Sequence, residues 1–439
     1  MNNKIYSFPR GGIPFDDSSV PSRDSSETAF LPSMSVIPLV QHSGGRALPV
    51  VSVGDIVKEG MLIGRGKGYN SANIHASVPG KVTRMVTWKS SEDQVQEGIV
   101  ISMQGSFERL GKKDENYSWE GMHSYDIQRY ISDFGVVEME GIGRPVSDII
   151  SSFRNSSDPI TLVIRCVFDD PWLAADYVLC RERTRAIVEG AAITARTCRV
   201  SRIIYAVSHN EKELGDILME SGYKWGIPVS VVYVSSRYPQ RNKRELELVL
   251  RNYGKKEGIE FGPFFILGPA TLAAVYDAVK LRKPAMERYI AVGGTAVKKP
   301  RIMKVRIGTR ISEVFRECGG FKGIPKNVAV GSPFLGRPLL YMDEPVTKTS
   351  FAIFANLEGS RLKSQTNTGS CISCGECRSV CPVGLDPEEI YKRILIKDKD
   401  SALGPSQAKE CHGCGCCELV CPSALPLSTE IITHIIRGN

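Results

Sequence analysis

The sequence predicts a multidomain α/β protein, and three observations lead to this prediction. Residues 31–105 carry short strands rich in Val, Gly and Pro, residues 158–282 alternate strands with helices, and the C-terminal region repeats one cysteine motif. A chain of 439 residues is long enough for two to four domains. We therefore predict four units in a row, with limits at 1–110, 111–283, 284–358 and 359–439.

Composition narrows the class of protein. The apolar fraction of 42% and the charged fraction of 24% are ordinary for a soluble globular protein. The net charge of +8 suits either an ordinary surface or a basic face that meets acidic redox partners or an anionic membrane. The chain is neither basic enough nor rich enough in interleaved aromatic residues to predict nucleic-acid binding.

Neither the N-terminus nor the interior predicts a targeting or membrane-spanning segment. Residues 1–10 are polar and lack the apolar core of a signal peptide. The most apolar uncharged stretch, residues 261–276, contains two glycines and two prolines. A spanning helix needs about 20 mostly apolar residues, so this stretch predicts a buried strand that runs into a helix.

The first unit reads as a small β-structure. Its short alternating runs, joined by Gly-containing turns, predict a β-sandwich or barrel. The runs 53–57 (VGDIV) and 78–82 (VPGKV) resemble barrel-sandwich domains of the lipoyl or biotinyl type. No lysine stands at a clean hairpin tip, so covalent lipoylation is not expected.

The second unit alternates strands with helices. Four such pairs predict a parallel, doubly wound α/β sheet. The strands are expected at 160–167, 202–207, 229–234 and 264–267, and the helices at 173–196, 211–222, 243–253 and 270–280. No G-x-G-x-x-G follows a strand here, so the standard dinucleotide fingerprint is absent.

In the third unit, residues 286–345 return to short strands and Gly-rich turns, which predict a small α+β unit. The polar stretch 359–370 then predicts a linker.

Eight of the 13 cysteines form two copies of C-x2-C-x2-C-x3-C-P. The first copy is Cys371, Cys374, Cys377 and Cys381, and the second is Cys411, Cys414, Cys417 and Cys421. Three closely spaced thiolates can hold three irons of one 4Fe–4S cubane, while the fourth cysteine reaches the other cluster. We therefore predict one cluster on Cys371, Cys374, Cys377 and Cys421, and the other on Cys411, Cys414, Cys417 and Cys381. Thiolate ligation also suits a reducing intracellular compartment.

Zinc is the alternative occupant, because it often takes paired C-x2-C units. Three cysteines at this spacing followed by Cys-Pro, given twice, favour iron–sulfur clusters. Cys416 is predicted to be a non-ligand. His412 is predicted to be an exposed loop histidine, and tuning of the cluster potential is the alternative role for it. Between the motifs, the run Asp-Pro-Glu-Glu at 386–389 is typical of a helix start and predicts a helix to about Lys397.

Several segments together resemble RnfC, a component of the Rnf complex, which is the ion-translocating ferredoxin:NAD oxidoreductase. The resemblance covers nearly the whole chain, and the two cysteine motifs complete it. The other matching segments are 8–14 (FPRGGIP), 41–44 (QHSG), 73–77 (NIHAS), 237–240 (RYPQ), 293–297 (GGTAV) and 305–309 (VRIGT). The last of these resembles the family's β-grasp segment, which makes the third unit β-grasp-like.

The resemblance implies a function. It implies a peripheral subunit on the cytoplasmic face of the membrane, with FMN in a fold shared with the flavoprotein subunit of respiratory complex I. Its clusters would pass electrons to or from membrane subunits of the complex. The overall reaction would couple electron flow between NAD(H) and ferredoxin, or a flavodoxin-like carrier, to sodium or proton movement. Such electron transfer needs no acid–base pair or nucleophile, and we predict none.

The chain departs from the family pattern at the flavin positions. The family's loop resembles G-x-x-G-M-G-G-A-G-F-P-T, but here Glu138 and Glu140 replace two of its glycines, with Arg144 as a candidate counter-charge. Glycine lets backbone N–H groups approach a phosphate closely, whereas glutamate adds bulk and negative charge. Three other positions also differ from the family pattern. Residues 168–172 are FDDPW where the family has E-C-E-P-Y, residues 241–242 are RN where it has Gly-Gly, and Ser208 replaces an acidic residue.

These departures leave two hypotheses open. In the first, the subunit has its own FMN and NADH site and feeds the clusters from it. In the second, it is an iron–sulfur relay and docking subunit that has lost this site.

Overall fold

The computed structural model describes residues 4–68, 70–89, 95–104, 116–222, 225–332, 336–357, 369–396 and 408–437. Within these ranges the chain forms four β-sheets and a C-terminal helical region. The predicted linker at 359–370 lies outside the described residues except for its last two, and Lys397 also lies outside them.

The N-terminal region forms the predicted barrel sandwich. Its strands are β1 (Glu27–Thr28), β2 (Met34–Pro38), β3 (Leu48–Pro49), β4 (Ile56–Val57), β5 (Leu62–Arg65), β6 (Ile74–His75), β7 (Gly80–Lys89) and β8 (Val95–Met103). Strands β2, β8, β7 and β4 make one antiparallel sheet, and β3, β5 and β6 make a second. Ile37, Ile63 and Ile99 are fully buried between them. Alternation along β7 buries Val82 and exposes Lys81, as a sheet with one wet face requires.

A parallel sheet follows, as predicted. Its strands are β9 (Ile160–Cys166), β10 (Val200–Ser208), β11 (Val229–Val234) and β12 (Phe264–Leu267), in the order β11-β10-β9-β12. The helices are α1 (Ser124–Asp133), α2 (Val146–Phe153), α3 (Ala174–Glu182), α4 (Thr184–Thr197), α5 (Lys212–Gly222), α6 (Lys243–Glu257) and α7 (Pro269–Lys280). One face packs on α4 and α7, and the other packs on α6 through Leu246, Val249 and Leu250. The sheet is therefore doubly wound, and residues 261–276 are a buried strand and helix as expected.

One predicted helix is divided. Residues 173–196 were expected to form a single helix, but a 3-10 turn (Pro171–Leu173) leads into α3, and the helix stops at Arg183 before α4 begins. At Arg183 φ is −125° and ψ is 29°, outside the helical region. Its guanidinium makes two hydrogen bonds to Asp277 of α7, at 2.9 and 2.6 Å. The prediction was wrong here because the partner lies far away along the chain, where local periodicity carries no signal of it.

The third region is a mixed six-stranded sheet. Strands β13 (Glu287–Gly293), β14 (Arg301–Arg306), β15 (Asn327–Val330), β16 (Arg337–Pro338) and β17 (Ala352–Asn356) join β1 in the order β1-β14-β13-β17-β15-β16. Helix α8 (Ile311–Glu317) packs on it through Ile311, Val314 and Phe315. This is the small α+β unit that the sequence predicts, completed by a strand from the N-terminal region.

The C-terminal region is helical. Its helices are α9 (Glu376–Ser379), α10 (Pro387–Leu395), a short helix at Cys416–Leu419 and a C-terminal helix at Leu427–Arg437. Asp386 caps α10 as predicted, accepting the Glu389 N–H at 3.2 Å. Ile390 of α10 and Ile431 of the C-terminal helix are buried in one cluster. Of the helices described, none is both long and apolar enough to cross a membrane.

The N-terminal segment ties this region to the parallel sheet. Tyr6 pairs with Val234 at the end of β11, and Ile13 exchanges two backbone hydrogen bonds of 2.9 Å with Tyr238. The Gly12 N–H donates to the carbonyl of Val380 at 2.8 Å. Gly11 has a φ of 65°, and a Cβ on it would come within 2.6 Å of the backbone carbonyl of Cys381. The glycines of segment 8–14 thus serve a close approach to the cysteine region.

A buried lysine joins three of the regions. Lys348, just before β17, is 3% exposed, and its Nζ donates to the carbonyls of Asn73 at 3.2 Å and Gly135 at 2.6 Å. Its backbone N–H donates to the side chain of Gln41 at 3.1 Å. Segments 41–44 and 73–77 therefore contribute to a junction between domains. Burial lowers the pKa of Lys348 to about 7.

We expect Lys348 to make stability depend on pH above neutrality. The folded chain releases this proton near pH 7, whereas the unfolded chain keeps it to about pH 10.5, so the unfolded state binds more protons in between. The contribution of Lys348 to the free energy of unfolding should therefore rise with pH between these values, by up to about 1.4 kcal/mol per pH unit. Lys348→Met should remove this rise in urea unfolding at pH 7, 8 and 9, whereas Lys81→Met, on an exposed position of β7, should keep it. Equal slopes for the wild type and Lys348→Met would contradict the expectation.

Candidate metal centres and flavin site

The eight motif cysteines gather around two small cavities. The first cavity is lined by Cys371, Cys374, Cys377 and Cys421. The second is lined by the motif residues Cys381, Cys411, Cys414 and Cys417, and also by Cys416, which lies outside the motif pattern. Each cavity takes three cysteines from one motif and the fourth from the other, which is the grouping that the spacing predicts. Their assignment as ligands stays a prediction.

The backbone wraps the two cavities in matching ways. Gly375 and Gly415 have φ values of 78° and 79° and begin the two short helices. After the fourth cysteine of each motif, Gly384 has a φ of 74° and Ala424 a φ of 51°. The same left-handed turn thus recurs in both halves, once without a glycine. These turns aim backbone N–H groups toward sulfur: one such bond, from Leu385 to Cys381 Sγ, measures 3.2 Å.

His412 is held by the α/β domain. Its Nδ1 lies 3.1 Å from Asn242 Nδ2, and its Nε2 lies 2.9 Å from Oε1 of the buried Glu245 on α6. This pairing raises the pKa of His412. The prediction of an exposed loop histidine was therefore wrong, because its partners lie in a different domain. Cys416 is fully buried and packs with Tyr238 and Val380, and its role as a non-ligand stays a prediction.

Several of the positions that depart from the family's flavin pattern come together at the carboxyl ends of the parallel strands. The Ser208 hydroxyl, at the end of β10, accepts the N–H of Phe168 at 2.8 Å. The N–H of Arg241 donates to Asp169 Oδ2 at 2.8 Å. Glu140, in the loop between α1 and α2, contacts Arg241. Segments widely separated in sequence thus form one site at the carboxyl ends of the strands, where open α/β sheets bind ligands.

Glu140 lies at the centre of this site. Its carboxylate is 2.6 Å from the guanidinium of Arg165 on β9 and pairs with that of Arg241. It also lies against Gly268, the residue that precedes α7, where a Cβ would come within 2.2 Å of Glu140 Oε1. Arg144, the predicted counter-charge, pairs with Asp148 at 2.6 Å instead.

The ion pairs extend behind Glu140. Asp176 lies 3.7 Å from Arg241 and 3.9 Å from Arg288, and Arg288 donates to the Met139 carbonyl at 2.7 Å. Burial raises the pKa of Asp176, raises that of Asp169 to about 8, and lowers that of Arg241 to about 10. Six ionisable side chains occupy this network: Glu140, Asp169, Asp176, Arg165, Arg241 and Arg288.

These residues do not fit FMN. A flavin phosphate needs open backbone N–H groups and no competing anion. Here the carboxylate of Glu140 lies at the carboxyl ends of the strands, beside the N-terminus of α7, and pairs with two arginines. Sequence reasoning found the lost glycines at 138 and 140 but not the ion pairs that replace them. The sequence did contain a signal for the ion pair, because two positions where glycine is expected carry residues of opposite charge, Glu140 and Arg241.

Family models match four stretches of the chain. An RnfC barrel sandwich hybrid domain matches residues 6–106, a Nuo51 FMN-binding domain matches 131–266, an SLBB domain matches 289–342, and a 4Fe-4S dicluster domain matches 362–425. These matches confirm the predicted fold class. The dicluster match supports iron–sulfur clusters as the cofactors.

Curated relatives cover most of the chain. The C subunit of the ion-translocating oxidoreductase complex of Rhodobacter capsulatus is 30% identical over 398 residues, which covers 90% of this chain and 76% of the relative. The C subunit of the proton-translocating ferredoxin:NAD(+) oxidoreductase complex of Clostridium ljungdahlii is 29% identical over 385 residues, covering 86% and 82%. The corresponding subunit of the Na(+)-translocating complex of Acetobacterium woodii is 26% identical over 374 residues, covering 84% and 83%.

Among solved structures, an NAD+-reducing [NiFe]-hydrogenase in its H2-reduced state superposes with a TM-score of 0.51 at 13% identity, covering 73% of this chain and 62% of that one. That likeness concerns the fold alone. The sequence relationship goes further, because it extends over 90% of the chain. The chain belongs to the RnfC family, the C subunits of the ion-translocating oxidoreductase complexes, as its resemblance to RnfC predicts.

Proposed function

We propose that this chain is a peripheral electron-transfer subunit that carries two 4Fe–4S clusters within an ion-translocating membrane complex. The observation that carries the proposal is the pair of cavities, each lined by four motif cysteines drawn from both motifs. The ligands would be Cys371, Cys374, Cys377 and Cys421 for one cluster, and Cys381, Cys411, Cys414 and Cys417 for the other. A bound 4Fe–4S cluster supplies one-electron transfer without proton chemistry at a side chain.

The protein's own residues shape the two cavities. Leu425 and Leu427 border the first cavity and Ile431 the second, and all three are buried and exclude water. Backbone N–H groups donate to sulfur from Ser373, at 3.4 Å from Cys371, and from Leu385. Such donors stabilise the negative charge of ligated sulfur and so tune its reduction potential.

The two cavities differ in their exposure to solvent, and this difference suggests which of them faces the partner subunits. The first is bordered by the exposed Cys374 and by Ile372, which is 67% exposed. The second lies against the α/β domain, where the Tyr238 hydroxyl donates to the Cys414 carbonyl at 2.7 Å. We therefore propose that partner subunits exchange electrons through the first cluster.

The names of the relatives suggest the partners. The relatives from Clostridium ljungdahlii and Acetobacterium woodii are subunits of ferredoxin:NAD(+) oxidoreductases that move protons or sodium ions. For this chain we propose membrane subunits of the same kind, ferredoxin or a flavodoxin-like carrier acting through the complex, and a place on the cytoplasmic face. The domain limits at 110, 283 and 358 belong to the same proposal.

We expect anaerobic reconstitution to load about eight irons and eight sulfides per chain. The product should be brown, its visible absorbance should bleach with dithionite, and the reduced protein should give the paramagnetic resonance of two interacting clusters. The measurements are iron and sulfide analysis with low-temperature resonance spectra. A colourless protein that binds zinc and takes up no sulfide would contradict the proposal.

A further inference from the structure

We propose that Glu140 replaces the ligand anion of the α/β domain, so that the domain holds no flavin and the chain works as a relay through its clusters alone. This inference rests on the proposed function and deepens it. It decides between a subunit that oxidises or reduces a pyridine nucleotide itself and one that receives electrons only from partners.

The position of Glu140 is the first argument. In the order β11-β10-β9-β12, strands β10 and β11 follow on one side of β9, and the chain then returns to place β12 on the other side. The topological switch point therefore lies between β9 and β12. Ligands of such sheets bind in the crevice outside the carboxyl ends at this point. Arg165 belongs to β9, Gly268 directly follows β12, and the Glu140 carboxylate lies against both. Glu140 therefore occupies the crevice itself.

The N-terminus of α7 is the second argument. The positive end of a helix dipole and its free N–H groups favour an anion, which in a nucleotide-binding sheet is a phosphate. Gly268 is the residue that precedes this helix. A carboxylate from the same chain now stands beside it, so the anion is built into the protein.

The paired substitution is the third argument. Two positions where the family pattern has glycine carry Glu140 and Arg241, and these two side chains form an ion pair with each other. A buried charge is stabilised by an opposite charge beside it, and each of these two side chains supplies one for the other. Together they close the crevice with a balanced pair, and Arg165 supplies a second cation for the same carboxylate.

The ion pair between Glu140 and Arg241 is also fixed by further contacts of Arg241, so Glu140 is a fixed part of the structure rather than a lid. Asp169 accepts the Arg241 N–H, the Arg241 carbonyl accepts from Arg165 at 3.2 Å, and Asp176 lies 3.7 Å from the Arg241 guanidinium. A flavin phosphate that displaced Glu140 would have to reorganise all of these contacts.

The test is FMN binding by the full-length, cluster-loaded protein, followed by quenching of flavin fluorescence and by thermal shift. The wild type should show no quenching and no shift at about 100 μM FMN.

Glu140→Gly removes the carboxylate and leaves Arg165 and Arg241 free to meet the FMN phosphate. This variant should gain FMN affinity by at least about tenfold, with a thermal shift that rises with FMN. The conservative Glu140→Gln should gain less, and it serves if the glycine variant folds poorly. Glu220→Gln, on an exposed position of α5, is the matched control and should behave as the wild type.

A second arm adds NADH anaerobically, with and without FMN. Wild-type clusters should stay oxidised, and dithionite should then reduce them. Stoichiometric FMN binding by the wild type, or NADH bleaching of its clusters, would overturn the inference and leave the proposed function standing. A folded Glu140→Gly protein without any gain in FMN affinity would also overturn the role of Glu140. Failure of the proposed function is distinguishable, because iron and sulfide would then be missing from the same samples.

Discussion

Replacing Cys421 with alanine is expected to remove the cluster of the first motif, although Cys421 belongs to the second. The reason is the grouping of thiols around the cavities, where Cys421 lines the same space as Cys371, Cys374 and Cys377. A 4Fe–4S cubane takes four thiolates, so without this one we expect the cluster not to assemble and the iron content to fall by about half. Cys381→Ala should remove the other cluster for the same reason.

The measurement is the reduction potential of the cluster that remains. Cys421→Ala and Cys374→Ala should keep the same cluster and therefore give the same potential in a spectroscopic redox titration. Cys381→Ala and Cys414→Ala should share the other potential. If instead Cys421→Ala matched Cys414→Ala, each motif would hold its own cluster and the crossed assignment would be wrong.

Two controls keep this comparison specific. Cys416→Ala removes the additional thiol beside the second cavity and should leave the iron content unchanged. Cys318→Ala removes a buried thiol from the core under α8, far from the motifs in sequence. It should affect stability without affecting iron. Loss of iron in Cys416→Ala would mean that the second cluster uses a different set of ligands.

The grouping of the eight motif cysteines around two cavities was predictable because its signal is local. Four thiols within eleven residues, closed by Cys-Pro, leave few alternatives to a cubane, and the spacing alone predicts the exchange of the fourth ligand. The parallel sheet was predictable for a similar reason, since β9 to β12 are buried runs bounded by turns. Such features depend on neighbours a few residues away, which a single sequence displays directly.

What sequence reasoning missed depends on partners far along the chain. The helix break at Arg183 goes with its bonds to Asp277, and His412 lies against Glu245. The lost glycine at Glu140 was visible, but its ion pairs with Arg165 and Arg241 required the fold. Periodicity reports which face of an element is buried and carries no information on which charged groups meet there. These long-range pairs therefore had to come from the structure.

Glu140→Ala is expected to destabilise the α/β domain by about 3 kcal/mol, because it leaves the guanidinium groups of Arg165 and Arg241 buried without their shared carboxylate. Both arginine side chains are 15% exposed or less, so water compensates little. Urea unfolding can be followed by tryptophan fluorescence, since Trp119 and Trp172 are buried in the core of this domain. Glu247→Ala is the control, because Glu247 pairs at 3.9 Å with Lys243, which is 72% exposed, and the cost there should stay within about 0.5 kcal/mol.

A double-mutant cycle separates the ion pair from the general cost of truncation. If Glu140 and Arg241 stabilise each other, Glu140→Ala and Arg241→Ala together should cost less than the sum of the two single changes, by about 1–3 kcal/mol. A ligand-binding carboxylate held apart for a substrate would show no such coupling in the absence of ligand. Additive effects, or a Glu140→Ala cost no larger than that of Glu247→Ala, would mean that the network contributes little to the fold. The crevice would then be available to a ligand, and the case for a relay without flavin would lose its structural basis.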